Sequence, residues 1–260
     1  MEIHEPYIPK EYLALKINYI KQQLAELPEV KHKTRKIHGK MTEVYITGTN
    51  VYSFANKACE RTRTIYFQRE DYLRELSRLE GLWNSAFRGQ PPVDIKPQKI
   101  IRKLYKSTED SVVIDRKFFD SLKNDADPNY RENKTFFYNG TYYRSAAEVE
   151  IARFYTEQGI PFKYEPEIWL KGLKYPIYTD FVLWIEELDL CKFHEHFGMK
   201  NSANYNRITA TKYINYSEAG LQPELDIFYT YNADGVPFDP RQLHTKLNSV
   251  IYNSLFVTNP

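Results

Sequence analysis

Three acidic residues stand at positions from which a folded chain can converge them: Glu148, Asp180 and Glu195. Glu148 falls in the first turn of an expected helix, Asp180 inside one expected strand and Glu195 inside the next. The acidic turn Glu186-Glu187-Leu188-Asp189 joins the two strands. Antiparallel pairing across such a turn can set Asp180 and Glu195 side by side, while the preceding helix can lay Glu148 across the same end of the sheet. Buried carboxylates that converge repel one another, and a divalent cation is the usual compensation. Magnesium held in this way keeps water in its shell, so it can activate a nucleophile and neutralise charge on a phosphodiester. The same spacing also suits a purely structural role, with Glu148 as a capping residue and Asp180 and Glu195 as polar strand-end positions.

The elements that must position these acids follow from local patterns. Phe136-Phe137-Tyr138, Asn139-Gly140 and Thr141-Tyr142-Tyr143 read as a hairpin, because Asn-Gly supplies the positive φ angles of a tight turn. Ser145, with Glu148 three residues on, opens a helix through a capping box, and the helix runs to Gln158 with Gly159 as its stop. Strands are expected at Phe162 to Tyr164, Tyr178 to Ile185, Leu190 to Phe197 and Leu225 to Tyr231, with helices near Tyr205 to Glu218 and Pro240 to Ser254. Upstream, Leu13, Ile17, Ile20 and Leu24 mark an amphipathic helix that Pro28 closes. Short β-type pieces run from Val30 to Phe67, with Gly39 at a hairpin tip. A second helix is expected from about Arg69 to Phe87, with Leu73, Leu76, Leu79, Leu82 and Trp83 on one side. A helical piece over Gln98 to Tyr105, another near Arg116 to Leu122, and an Asn/Asp/Pro-rich linker from Asn124 to Asn133 follow. The sum is an α/β protein of α+β type: an accessory region over residues 1–92 with two amphipathic helices around a β-hairpin, an irregular helical linker over 93–134, and a mixed sheet flanked by helices over 135–260.

The sequence around the acids says more than their spacing. Tyr143-Arg144-Ser145-Ala146-Ala147-Glu148-Val149-Glu150-Ile151-Ala152 resembles the opening helix of a branch of the PD-(D/E)xK nuclease superfamily, in which an Arg-Ser-x-x-Glu stretch leads an amphipathic helix. The next pieces keep that family's order: Gly159-Ile160-Pro161-Phe162-Lys163-Tyr164-Glu165, then Tyr175-Pro176-Ile177-Tyr178-Thr179-Asp180-Phe181, then His194-Glu195-His196-Phe197-Gly198-Met199. Tyr205, Arg207, Lys212, Tyr213 and Gly220, followed by Asp226-Ile227-Phe228-Tyr229-Thr230, look like its continuation, so the resemblance covers roughly residues 136–256. It implies a restriction-endonuclease-like fold and an endonuclease dependent on Mg²⁺, or Mn²⁺, acting on DNA in preference to RNA. By the same resemblance Asp180 and Glu195 bind the metal and Glu148 completes or orders the site.

Two positions depart from the family pattern. Thr179 replaces the proline before Asp180, and Phe197 stands where the (D/E)xK element carries its lysine. This branch often shows a Glu-His-x-Gly form there, which makes His196, Lys200 and Lys212 the candidates to contact the phosphate or activate water. In a regular strand His194 and His196 share one face and Glu195 takes the other, so only a bulge before Gly198 brings His196 to the metal. The two histidines can also be read as a zinc pair, although no second Cys/His pair lies at matching spacing.

Charge adds a second theme. The chain of 260 residues carries 36 Lys+Arg against 34 Asp+Glu, a net charge of only +2. Residues 1–134 hold 25 basic and 19 acidic side chains, and the remainder 11 and 15, so the small total is a cancellation. Lys31, Lys33, Arg35, Lys36 and Lys40 form one acid-free run; Lys96, Lys99, Arg102, Lys103 and Lys106 form another. With Arg144 these are the expected phosphate contacts, against the alternative of a solvated hairpin and an exposed helical face. The 22 tyrosines suit base stacking and ordinary strand packing equally. Two cysteines cannot make a disulfide framework or a Cys-based zinc site, which favours a reducing, cytoplasmic setting. No run is apolar enough to suggest a membrane partner, and Glu2, His4 and Glu5 do not resemble a signal peptide. The expected partner is nucleic acid, with a homodimer or a protein partner through the N-terminal helices as a further option. A nuclease-like scaffold that binds nucleic acid without cutting it, or that serves as an inhibitor or adaptor, is the alternative function.

Overall fold

Apolar periodicity dictates the first helix. The computed structural model describes residues 10–53, 57–107, 110–129, 131–169, 174–198, 203–232 and 238–255. Helix α1 (Lys10–Glu26) buries Leu13, Ile17 and Ile20 at helical spacing and ends before Pro28. Strands β1 (Lys31–Ile37), β2 (Lys40–Thr47) and β3 (Asn50–Ser53) then form an antiparallel meander in that order. His38 and Gly39, with φ of 47° and 81°, make the tight turn between β1 and β2.

Helix α2 (Lys57–Phe87) is 31 residues long and begins well before the expected Arg69. Thr64-Ile65-Tyr66-Phe67 reads locally as a strand, yet Ile65 and Tyr66 pack on a buried cluster of Val30, Tyr45 and Cys59. The Thr62 and Thr64 hydroxyls donate to carbonyls one turn back. Burial on one face thus overrides the strand preference of β-branched and aromatic residues. The buried stripe differs too: Leu79 and Trp83 are buried, whereas Leu73 and Leu82 are exposed.

The chain divides into two compact units, the first built from Leu13–Pro97 and the second from Gln98–Pro260 with the first residues of α1. The second opens with a segment expected to be helical and found extended. Ile100 and Leu104 turn inward and Ile101 and Lys103 outward, which is the period of a strand. Strand β4 (Lys103–Ser107) pairs with β5 (Asp110–Val113), and Asp115 caps α3 (Arg116–Ser121) by accepting from the Phe118 N–H at 3.1 Å. The Asn/Asp/Pro stretch beyond it is tied to the sheet, since the N–H groups of Asp125 and Ala126 donate to the carbonyls of Tyr164 and Glu165.

The Asn139-Gly140 turn joins β6 (Phe136–Tyr138) to β7 (Thr141–Tyr143) with φ of 46° and 83°, and α4 (Ala146–Glu157) follows. After β8 (Phe162–Tyr164) comes a small hairpin of β9 (Glu167–Ile168) and β10 (Ile177–Tyr178). The remaining elements are β11 (Phe181–Ile185), β12 (Leu190–Phe197), α5 (Ala203–Glu218), β13 (Ile227–Tyr231) and α6 (Arg241–Leu255). A four-stranded sheet in the order β13-β12-β11-β8 forms the centre, with β12 and β13 parallel and the other pairs antiparallel. Helix α5 is the crossover that a parallel pair requires. Every residue of β11 and β12 is buried, as in a sheet covered on both faces. Tyr155 of α4 meets the His194 face of β12, and Lys212 and Tyr216 of α5 meet the Glu195 face. The architecture is therefore α+β, with a mixed sheet between helices. Among the described residues no helix is long and apolar enough to cross a membrane.

Candidate active site

Strand register brings the first two acids together. Phe181 pairs with His194, so Asp180, which sits immediately before β11, faces Glu195 one step further along. The Asp180 N–H donates to Glu195 Oε2 at 3.3 Å, and Asp180 Oδ2 accepts from the His196 N–H at 2.7 Å. Glu148 arrives from α4, where its own N–H donates to the Ser145 cap at 3.2 Å. Its Oε2 accepts from the Arg144 N–H at 2.9 Å and from the Tyr164 hydroxyl at 2.8 Å. The capping role and the site role fall on the same residue. A cavity of about 750 Å³ is lined by all three acids together with Arg144, His196 and Lys212.

Cations separate and balance these charges. Arg144 stands between Glu148 and Asp180: Nη2 lies 3.1 Å from Asp180 Oδ1 and 2.5 Å from Glu165 Oε1, and Nε lies 3.9 Å from Glu148 Oε1. Arg144, expected as a phosphate contact, is anchored among these buried carboxylates and also lines the cavity, and Lys134 completes the group 2.5 Å from Glu165. On the other side Lys212 Nζ is ion-paired with Glu195 Oε1, and the Tyr216 hydroxyl donates to Oε2 at 2.5 Å. Lys212 and Tyr216 are four residues apart on α5, one turn, which is why both reach the same carboxylate.

Burial, and then the charge of Asp180, push both Glu148 and Glu195 up from the ordinary carboxylate range to about 7. Burial alone would lower Lys212, but the Glu195 and Asp180 carboxylates outweigh it and hold the ammonium above its usual value. Among the described residues no three His, Cys, Asp or Glu side chains are grouped closely enough to hold a metal together. Magnesium needs fewer, since one or two carboxylates with water and substrate oxygens suffice. Asp180 and Glu195 are the adjacent carboxylates that could hold such an ion, although each oxygen is bonded here to a protein donor; Arg144 lies beside Glu148.

No family model, no curated protein and no solved structure matches this chain. Its function must therefore be read from the geometry.

The other sequence candidates distribute as follows. His196 lies on the His194 face of a strand whose ladder runs unbroken to Phe197 and Tyr231, so there is no bulge to turn its ring to the Glu195 face. Its ring nevertheless borders the cavity, which draws on residues of both α4 and α5 and so wraps the end of β12. His194 is fully buried with both ring nitrogens taken, by Tyr155 and Thr230, and cannot take part in a zinc pair. Lys200 lies outside the described residues. Lys31, Lys33, Arg35 and Lys36 are exposed along edge strand β1, and Lys40 at the start of β2 is exposed as well. Arg102 is not a surface cation. Its guanidinium makes two bonds of 2.8 Å to the fully buried Asp226, because that carboxylate needs a partner inside the fold. Lys99 pairs with Asp189 at 2.5 Å, and Lys103 is exposed. Sequence reasoning passed over Glu165, Lys134 and Tyr216 as site residues. The i,i+4 spacing of Lys212 and Tyr216 was a usable signal, whereas nothing local marks the Lys134–Glu165 pair.

Proposed function

We propose that the second unit is a metal-dependent nuclease of PD-(D/E)xK type, hydrolysing phosphodiester bonds in DNA in preference to RNA. The observation that carries this reading is the delivery of Lys212 from α5 to Glu195, beside Asp180, which supplies the cation that the strand sequence lacks. Asp180 and Glu195 would hold Mg²⁺ or Mn²⁺. The ion would contribute Lewis-acid polarisation of the phosphodiester and a more acidic water. Lys212 offers ammonium protons at the cavity wall, where they can neutralise charge developing on a phosphate or orient the attacking water. Glu148, its carboxyl pushed up by burial and by the Asp180 charge, fixes the Arg144 N–H and the Tyr164 hydroxyl and so sets the helix start against the sheet. The exposed cations of β1 would hold the nucleic-acid backbone.

A second reading draws on the same ion pairs. Arg144 and Lys212 already balance Asp180 and Glu195, as suits a nuclease-like scaffold that grips nucleic acid or a partner protein without cutting. Cleavage assays on single- and double-stranded DNA and RNA with Mg²⁺ or Mn²⁺, beside Asp180→Ala and Glu195→Ala, separate the two. Cleavage that both variants abolish is expected. No cleavage in any format, with unaltered affinity in both variants, would sink the enzyme.

A further inference from the structure

His196 is 7% exposed and borders the cavity; its Nε2 makes no well-aligned hydrogen bond, although the Asn232 side chain lies close enough to interact with the ring. A buried polar atom left alone is costly, so what that nitrogen presents to the cavity depends on the rest of the ring's bonding. On the other side runs a buried chain. The Tyr155 hydroxyl meets His194 Nδ1 at 2.8 Å, His194 Nε2 meets Thr230 Oγ1 at 2.8 Å, and the same oxygen meets His196 Nδ1 at 2.8 Å. Tyr155, His194 and Thr230 are all fully buried.

The direction of this chain is set at its far end. The Tyr155 hydroxyl has His194 as its acceptor, and pointing its proton elsewhere would strand it in an apolar setting. His194 Nδ1 is then the acceptor, and its proton sits on Nε2 and goes to Thr230. Thr230 Oγ1 has one proton and two lone pairs; with one lone pair taken by His194 and no other acceptor among the described residues bonded to it, donation to His196 Nδ1 is the arrangement that leaves no buried proton idle. In that arrangement His196 carries its own proton on Nε2.

Arg144 Nε, also buried, makes no hydrogen bond and lies 3.9 Å from Glu148 Oε1. Arg144 Nη2 and the His196 main-chain N–H hold opposite oxygens of Asp180, at 3.1 Å on Oδ1 and 2.7 Å on Oδ2, and the two residues line the same cavity as that carboxylate. We infer that His196 Nε2–H is a fixed hydrogen-bond donor for a phosphate oxygen entering beside Asp180, and that Tyr155, His194 and Thr230 are positioning residues that set its tautomer. The choice of phosphate rests on the nuclease reading; the donor itself does not. Asn232, whose side-chain oxygen also lacks a hydrogen bond and which lies near enough to bias the ring, is the internal competitor for that proton.

The test uses the full chain with ¹⁵N-labelled histidine, whose two-bond spectra report the tautomer of each ring, titrated with inorganic phosphate. His196 should appear protonated at Nε2, and phosphate should move that nitrogen and its proton to saturation. Thr230→Val should abolish the tautomer preference and the response, and Thr230→Ser should restore both. A His196 protonated at Nδ1, or an Nε2–H that saturating phosphate leaves unmoved on Asn232, would overturn the inference. Where cleavage is observed, His196→Phe should lower the single-turnover rate by roughly 100-fold with unchanged nucleic-acid affinity, and His196→Gln, which places an N–H near the same point, should recover part of it. A phosphate response in a chain that cuts no nucleic acid would sink the nuclease and leave the donor standing; cleavage with an unmoved His196 would do the reverse.

Discussion

Lys212 on α5 is ion-paired with Glu195 on β12, although seventeen residues of chain separate them. Phe197 leaves the strand without a lysine two residues past Glu195, and α5 brings one to the same carboxylate from outside the sheet. Lys212→Met keeps most of the aliphatic stem and removes the charge. Cleavage should fall by roughly 100-fold or more while nucleic-acid affinity changes far less, as read from single-turnover rates beside binding curves. Denaturant unfolding should show a loss of about 1–3 kcal/mol, because Glu195 keeps its burial and loses a charged donor.

The raised acids make stability depend on pH with a definite sign. Glu148 and Glu195 move from an ordinary 4.5 to about 7, so between those values the folded chain binds more protons than the unfolded one. Their contribution to stability therefore declines as pH rises through that window and levels off above it. Measured against a Glu148→Gln/Glu195→Gln variant, wild-type denaturation midpoints should fall relative to the variant from pH 4.5 to about 7. Mg²⁺ should offset the decline in the wild type and not in the variant, since binding requires ionised carboxylates. A wild type that gains on the variant across this range would contradict the assignment.

Exposed β1 and buried Arg102 predict opposite behaviour for substitutions of basic residues. Lys33→Glu/Lys36→Glu alters only exposed side chains of an edge strand, so the melting temperature should hold. Nucleic-acid affinity should drop, with the slope of log affinity against log salt shallower by roughly 0.7–0.9 for each phosphate that is no longer neutralised. An unchanged slope would leave these lysines with the other use of edge-strand charge, the blocking of sheet-to-sheet pairing.

Arg102→Ala should do the reverse. It leaves Asp226 fully buried without its bidentate partner, a change that costs about 3–5 kcal/mol in comparable buried pairs, while binding per folded molecule stays the same. Pairing Arg102→Met with Asp226→Leu should recover much of the loss in urea unfolding, because the stranded charge is gone.

The parts of the molecule legible in the sequence are those whose causes lie within a few residues. Asn139-Gly140 demands positive φ, Ser145 offers a cap oxygen to Glu148, and the run from Leu190 to Phe197 reads as a strand, although its Lys, His and Glu residues do not announce its complete burial. Alternation along that strand also settled that His194 and His196 oppose Glu195, and the acidic turn set the register that brings Asp180 to Glu195. Where local preference and burial disagreed, burial won: Thr64 to Phe67 became helix against the Tyr45 cluster, and Gln98 to Tyr105, expected to be helical, became extended with Ile100 and Leu104 inward.

Which charge answers which charge was decided by the tertiary structure alone. Lys200 and Lys212 were equal candidates along the chain, and only the path of α5 over the Glu195 face brings Lys212 to the acid. Arg102, in a basic run, and Arg144, at the start of a helix, were both expected as phosphate contacts. Asp226 and Glu165, 1% exposed or less, claim them because a buried carboxylate without a partner costs more than a solvated guanidinium gains. Helix and strand are written in neighbouring dihedrals and a repeating period; the pairing of buried charges is written in distances between segments far apart in sequence, which exist only once the core has closed.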